Sequence, residues 1–228
     1  MFQVADRLRE RRIAPLVTAG FLNYSEPTLA ECVAHCQAQG ATDILVQPYF
    51  LISGTYVGEE LPRQVRSVIP QYPTLRFALA EALGAHPALV KLACQRLAAV
   101  DPTPTPATAL LVVAHGTPRP SDNAPIQWIT QRVQQAAGYA TAAIGYLDCN
   151  QPDIPAAFDQ LMAAGAERIA VLPYFLHLGR HVNTDLPLLF AQAQVAYPTV
   201  EVQVAQHLAY DPLLAEVTAE RVMASLLC

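Results

Sequence analysis

Three polar residues in the second half of the chain stand where short apolar runs give out. His115 closes LLVVAH, Asp148 lies just past AAIGYL, and His181 follows VLPYFLHLG. If those runs are parallel strands, all three residues lie in loops beyond strand carboxyl ends, where open α/β sheets bind their ligands. Two imidazoles and a carboxylate suit a borderline divalent metal such as Fe, Co, Ni or Zn, and a neutral imidazole also accepts a proton near pH 7. Each of the three also fits the plainer duty of a helix cap or a satisfied buried polar group.

Other polar residues share these loops. His177 precedes His181 by four, but at a strand end this is not the i,i+4 ligand pair of a helix. It reads either as an accessory site residue or as packing at the crevice wall. Arg119 and Arg180 offer guanidinium forks suited to substrate carboxylates, and serve equally as solvated loop charges. Thr117, Ser121 and Asn123 are read first as caps for the helix after His115. Asn183 or Thr184 is read as the cap of the helix after His181, with Pro187 in its first turn.

The elements that must position these residues alternate. LLVVAH, a helix through about 122 to 137, TAAIGYL, a helix near 153 to 164, RIAVLPYFL, a helix near 184 to 195, EVQVAQ and a helix from about 212 to 226 follow one another. This βαβα rhythm predicts an α/β fold with a parallel sheet covered on both faces. Sliding the sequence by 125 positions aligns residues 14 to 87 with 139 to 212 without a gap, with 22 of 74 pairs identical. The matches include Gly20 with Gly145, Pro27 with Pro152, Pro48-Tyr49-Phe50 with Pro173-Tyr174-Phe175, and Leu61-Pro62 with Leu186-Pro187. An internal repeat on this scale means two copies of one fold.

The expected organisation is a degenerate repeat over residues 1–102, a Pro-rich connection over 103–108 and a second repeat over 109–228. Each is expected to be a three-layer α/β/α half, with a cleft between them. The counterpart of LLVVAHGTP falls before Met1, so the first repeat is expected to begin inside its first helix and to leave a gap or an edge in its sheet. In that repeat Asn23 faces Asp148, Ile52 faces His177, Thr55 faces Arg180 and Tyr56 faces His181. One site per chain, in the second repeat, is the consequence. Tyr56, Phe50 and Arg63 are left as packing or substrate contacts, or as ordinary core and surface residues.

The chain has 228 residues, 53% hydrophobic and 14% charged, with a net charge of −5. That acidity argues against a nucleic-acid or anionic-membrane partner, which calls for a basic face. No apolar run reaches the roughly 18 residues of a membrane span, and MFQVADRLRERR lacks the apolar core of a secretion signal. Cytoplasmic residence is the expectation. The Arg-rich start also fits the end of an organelle-targeting peptide, against which Asp6 and Glu10 weigh. Five cysteines, Cys32, Cys36, Cys94, Cys149 and Cys228, include no CxxC pair and leave one over, as reduced thiols do. Cys32 and Cys36 share a helix face, as buried packing or as a soft-metal pair, with packing the commoner use.

AHGTPRPSDN, GYLDCNQPDIPAAFDQLMAAGAERIAVLPYFLHLGRHVNTDLP and QHLAYDPLLAEV together resemble the small class II tetrapyrrole chelatases, the sirohydrochlorin cobaltochelatase and ferrochelatase family. The resemblance covers residues 109 to 222 as a full repeat and the first half as a degenerate copy. It implies insertion of Co²⁺ or Fe²⁺ into sirohydrochlorin, an octacarboxylate macrocycle, on the way to cobalamin or sirohaem. His115 and His181 match the family's two metal-binding histidines, while Asp148 stands where many members have Glu. On that basis His115 is assigned as principal base and transient ligand, His181 as second ligand, and Asp148 as a charge-neutralising acceptor. Arg180, Arg119 and His177 are the substrate-binding candidates. The metal is substrate, and no permanently bound cofactor is expected; the ending RVMASLLC carries neither the iron–sulfur motif nor the His-rich tail of some long members. A monomer or a homodimer is compatible with two linked repeats. The rivals are a non-catalytic tetrapyrrole or metal binder and a histidine-phosphatase-type phosphoryl-transfer enzyme. The latter's signature needs Arg where Ala114 stands.

Overall fold

The structure is a computed structural model that describes residues 1–23, 25–177 and 179–226, with residues 180–182 described in their backbone alone. It forms two compact units, Met1–Gly84 joined by the segment from Tyr210 onward, and Ala85–Ala209. The first contains α1 (Phe2–Glu10), α2 (Leu29–Ala38), β1 (Asp43–Val46), a π-helical turn (Tyr56–Glu60) running into α3 (Leu61–Val68), and β2 (Arg76–Leu79). The second contains α4 (Pro87–Ala98), β3 (Thr108–Ala114), a 3₁₀ turn (Pro120–Asn123), α5 (Ala124–Ala137), β4 (Thr141–Tyr146), α6 (Ile154–Ala163), β5 (Arg168–Pro173), α7 (Arg180–Ala196) and β6 (Glu201–Val204). Helix α8 (Pro212–Leu226) returns to the first unit.

The second unit carries a parallel sheet in the order β4-β3-β5-β6. Its centre is β3, TALLVVA, every residue of which is buried. Such an unbroken apolar run is what a parallel strand needs when helices cover both faces. Ala109, Leu111 and Val113 pack with Ile154, Ala157, Phe158 and Leu161 of α6 and with Leu186 of α7. The alternate residues Leu110 and Val112 are equally inaccessible, on the face where α5 packs on β3 and α4 packs on α5 and β5. The α/β fold with parallel sheets follows directly from this pattern.

The repeat is visible in detail. The ladder of β1 with β2 pairs Asp43 with Arg76, and that of β5 with β6 pairs Arg168 with Glu201, each residue shifted by the same 125 positions. Both pairs are ion pairs, at 2.6 and 2.9 Å, with the charges exchanged between strands. Hydrogen bonds from Arg76, reinforced by Thr42, hold the Asp43 carboxyl down at about 2. The bridge of Phe21 with Thr28 recurs as Tyr146 with Asp153, and Thr28 and Asp153 each cap the following helix by accepting from the backbone three residues on. Two X-Pro bonds at matching places, Glu26–Pro27 and Gln151–Pro152, are cis.

The compact units and the sequence repeats divide the chain differently, the first unit ending at Gly84 and resuming at Tyr210. Helix α4, which ends the first repeat, is the one that buries Leu89, Leu92, Ala93 and Leu97 in the second unit, and α8 packs on α1 in the first. A last helix belongs to whichever core takes up its apolar stripe, and sequence order does not decide that. The first unit's sheet, among the described residues, is only β1-β2. Residues 16–21 match β4 but form no ladder, because β4 pairs with β3 and no described segment of the first unit takes the place of β3. Consistently, β1 is exposed or half-buried along its length where β5 is almost wholly buried.

Leu111→Ala, at the fully buried centre, is expected to cost about 2–5 kcal/mol, and Thr28→Ala, at an exposed cap, about 1 kcal/mol. Urea unfolding followed by circular dichroism ranks the two, and a smaller loss for Leu111→Ala would mean that β3 is not the packed centre.

Candidate functional site

Because β3 lies between β4 and β5, the loops after these three strands leave the sheet side by side, about 4.8 Å apart per strand. His115 is the first residue after β3 and is exposed. Asp148 is the second residue after β4 and is also exposed. The ladder continues into both loops, since the Leu147 N–H donates to Ala114 O at 2.9 Å and the Asp148 N–H to His115 O at 3.0 Å. The main chains of His115 and Asp148 are therefore locked to one another. On the far side, the Tyr174 N–H donates to Val113 O at 2.8 Å, which brings the loop after β5 to the same edge.

Arg180 and His181 are the first two residues of α7, behind Gly179 at its N-cap; their side chains lie outside the described residues. His177 is exposed, and its charge, after burial and the charge of Arg96, helps push His207 below its ordinary pKa. His177 thus shares its surroundings with His207. Arg119 is exposed at the start of the 3₁₀ turn. The structure thus brings His115 and Asp148 together through their backbones and sets the β5–α7 loop beside them. Among the described residues no three metal-ligating side chains converge.

Several cap assignments fail. Helix α7 starts at Arg180, so Asn183 and Thr184 lie inside it, and Pro187 is its eighth residue. Asn123 makes no side-chain cap for α5. Its amide instead donates to Asn150 Oδ1 at 2.9 Å, and the Thr117 N–H donates to the same oxygen at 2.7 Å. Asn150 was not singled out by sequence, where it is one polar residue in a turn before a proline. The cysteines on α2 are buried, with Thr18 donating to Cys32 Sγ, so the pair belongs to the core.

Asp148, Cys149 and Asn150 line a depression of about 320 Å³ with Tyr146, Leu147, Gln151 and Asp153. The backbone here is tightly folded. Asp148 Oδ1 accepts from the Cys149 N–H at 2.7 Å, which orients the carboxylate, and Cys149 takes a φ of 63°. Across from it Gly116 has a φ of +88°, and a Cβ there would sit 2.0 Å from Asp148 O. Only glycine fits that approach, which explains the Gly after His115. Partial desolvation, then the charge of Asp148 and a hydrogen bond to it, push the Cys149 thiol up from its ordinary value.

The fold and the repeat define a two-repeat α/β protein with His115 and Asp148 at the carboxyl edge of one parallel sheet. The chain belongs to the CbiX family, whose model matches residues 1–100 and again 109–225. It is 24% identical to a sirohydrochlorin cobaltochelatase of Priestia megaterium over 90% of this chain and 68% of that protein. It is 21% identical to a sirohydrochlorin ferrochelatase of the same organism over 95% and 80%. Among solved structures it superposes on SirB from Bacillus subtilis with Fe³⁺ at a TM-score of 0.84, with 20% identity over 98% of this chain and 87% of the other. CbiX of denitrifying bacteria, described as the terminal enzyme of sirohaem biosynthesis, gives 0.66 with 26% identity over 98% and 89%. No described helix is long and apolar enough to cross a membrane.

With its pKa raised, Cys149 carries less thiolate at a given pH, so it should alkylate slowly with iodoacetamide at pH 8. Asp148→Asn should move the inflection of that reaction to lower pH and speed it at pH 8, read by mass spectrometry of the Cys149 peptide. An unchanged or slower reaction in the variant would break the link between the two side chains.

Proposed function

We propose that the chain inserts Co²⁺ or Fe²⁺ into sirohydrochlorin. The observation that carries this reading is the backbone lock between His115 and Asp148 at adjacent strand ends, in a chain of the CbiX family. Insertion exchanges two pyrrole N–H protons for one divalent cation. It therefore needs ligands weak enough to release the metal and a base to take up protons. His115 is the principal base and a transient ligand. His181, in the first turn of α7, is the second ligand, and Asp148 neutralises charge and receives protons or guides the cation. A carboxylate one carbon shorter than Glu reaches less far.

Arg119, Arg180 and His177 are the candidates to meet the substrate's carboxylates, because they belong to the two loops that flank His115 and His181. The metal is consumed with each turnover, so no resident cofactor is required. Both cations accept nitrogen and oxygen ligands, and the choice between them is read from the relatives as open, since one is named for cobalt and another for iron. We place the protein in the cytoplasm, acting as a monomer or homodimer. The four described cysteines are all free thiols, which suits a reducing compartment.

Anaerobic loss of free sirohydrochlorin absorbance, with Co²⁺ and Fe²⁺ compared, tests the reading. The chain should accelerate at least one insertion, and His115→Ala should slow it by about 10²–10⁴-fold, the range of a lost general base. No acceleration over the protein-free reaction would leave a tetrapyrrole or metal binder instead, and an unimpaired His115→Ala would remove His115 from the mechanism.

A further inference from the structure

The two loops that carry His115 and Asp148 are joined through one side chain. Asn150 Oδ1 accepts two hydrogen bonds from the β3–α5 segment, the Thr117 N–H at 2.7 Å and Asn123 Nδ2 at 2.9 Å. The Asn150 N–H donates to Asp148 O at 2.8 Å, and that carbonyl is the atom packed against Gly116. The left-handed backbone at Cys149 turns the chain so that Asn150 can bond in both directions. We propose that Asn150 is a positioning residue that holds His115 and Asp148 in register for metal binding and transfer, an inference that rests on the chelatase reading of this site.

The partners of Asn150 distinguish it from an ordinary turn residue. Asn123 is buried, and so is Thr117. Their side chain and backbone donors need an acceptor inside the protein, because a buried donor left unpaired costs about 1–3 kcal/mol. Asn150 is half-buried and supplies one oxygen to both. Releasing it frees the segment two residues after His115 from the turn two residues after Asp148. The end of the ladder and the packing of Gly116 against Asp148 O still join the two loops then.

The internal repeat offers a comparison within the molecule. The matching turn of the first unit keeps the parallel bridge, the helix cap and the cis proline. At the position of Asn150 it has Ser25, and at that of Asp148 it has Asn23. The flanking bridge and helix cap therefore do not require the asparagine. Asn150 occurs in the copy that has a His115 loop to hold, and is absent from the copy whose acidic residue is gone.

The test uses the full chain and two variants. Asn150→Leu is close in size but removes the acceptor; Asn150→Asp keeps an oxygen for both donors. Co²⁺ affinity is measured alone by its visible absorption in competition with a chelating dye, insertion into sirohydrochlorin is measured as kcat and KM, and thermal melting gives the folded fraction. Outer-shell partners of a metal site typically contribute 10–100-fold in affinity or activity. Asn150→Leu should weaken Co²⁺ binding and lower kcat by about that much, with KM for sirohydrochlorin within about 3-fold of the parent, and Asn150→Asp should recover most of the loss. The inference is overturned if folded Asn150→Leu binds Co²⁺ and turns over as the parent does. It is equally overturned if Asn150→Asp is as impaired as Asn150→Leu. Should the parent fail to metallate sirohydrochlorin, the functional reading falls, while the Co²⁺ affinities still decide whether Asn150 organises a metal site.

Discussion

The central place of β3 is the constraint on which the second unit depends. A parallel strand bonded on both sides sends every neighbouring chain out of the sheet at the same edge, so the loops after β4, β3 and β5 must leave together. Its seven buried residues anchor it in two apolar layers at once, and this fixes the height at which His115 emerges. The hydrogen bonds from Leu147 to Ala114 and from Asp148 to His115 then extend the register of the sheet into the loops. Main-chain geometry, set by burial some distance away, is what brings the imidazole and the carboxylate to neighbouring positions.

The first unit lacks that constraint, and its sheet is smaller for it. Residues 16–21 share their place in the repeat with β4 and end in the same bridge and cap, yet they form no ladder among the described residues. Strand propensity does not make a strand without a partner, since its stabilisation lies in cross-strand pairing and packing. The outer ladder, β1 with β2, survives because its partners are both present, and its ion pair survives with the charges exchanged. Reversing both charges together leaves the attraction intact, whereas reversing one would set like charges side by side.

These contrasts also explain what could be read from the amino acids. The repeat, the parallel α/β fold, and the strand-end places of His115 and Asp148 were legible because apolar runs of the right length and a recurring punctuation of Gly and Pro report burial and turning directly. The exchange of α4 and α8 between units was not legible, because an apolar helix stripe does not name the core that takes it up. Asn150 was invisible for a related reason. Its role depends on the Thr117 N–H and the Asn123 amide meeting a turn some 30 residues further along, and residue type at one position carries no such information. The cap misread at Asn123 failed in the same way, since a short polar side chain near a helix start has other acceptors within reach, while Asn183 and Thr184 failed because α7 begins at Arg180.

A metal that must be delivered rather than kept places opposite demands on a site. Ligands need freedom to exchange, which favours exposed imidazole and carboxylate over a closed set of thiolates. Yet they need fixed spacing, because a cation shared between two drifting groups gains little from either. Here the side chains of His115 and Asp148 are open to solvent while their backbones are tied by the ladder, by the contact of Gly116 with Asp148 O, and by the acceptor of Asn150. Cys32 and Cys36, the nearest thing in the chain to a sulfur pair, are buried on α2 of the first unit. On the proposed reading, rigidity is confined to the main chain and exchange to the side-chain ends, a division that would let weak groups act at a defined place.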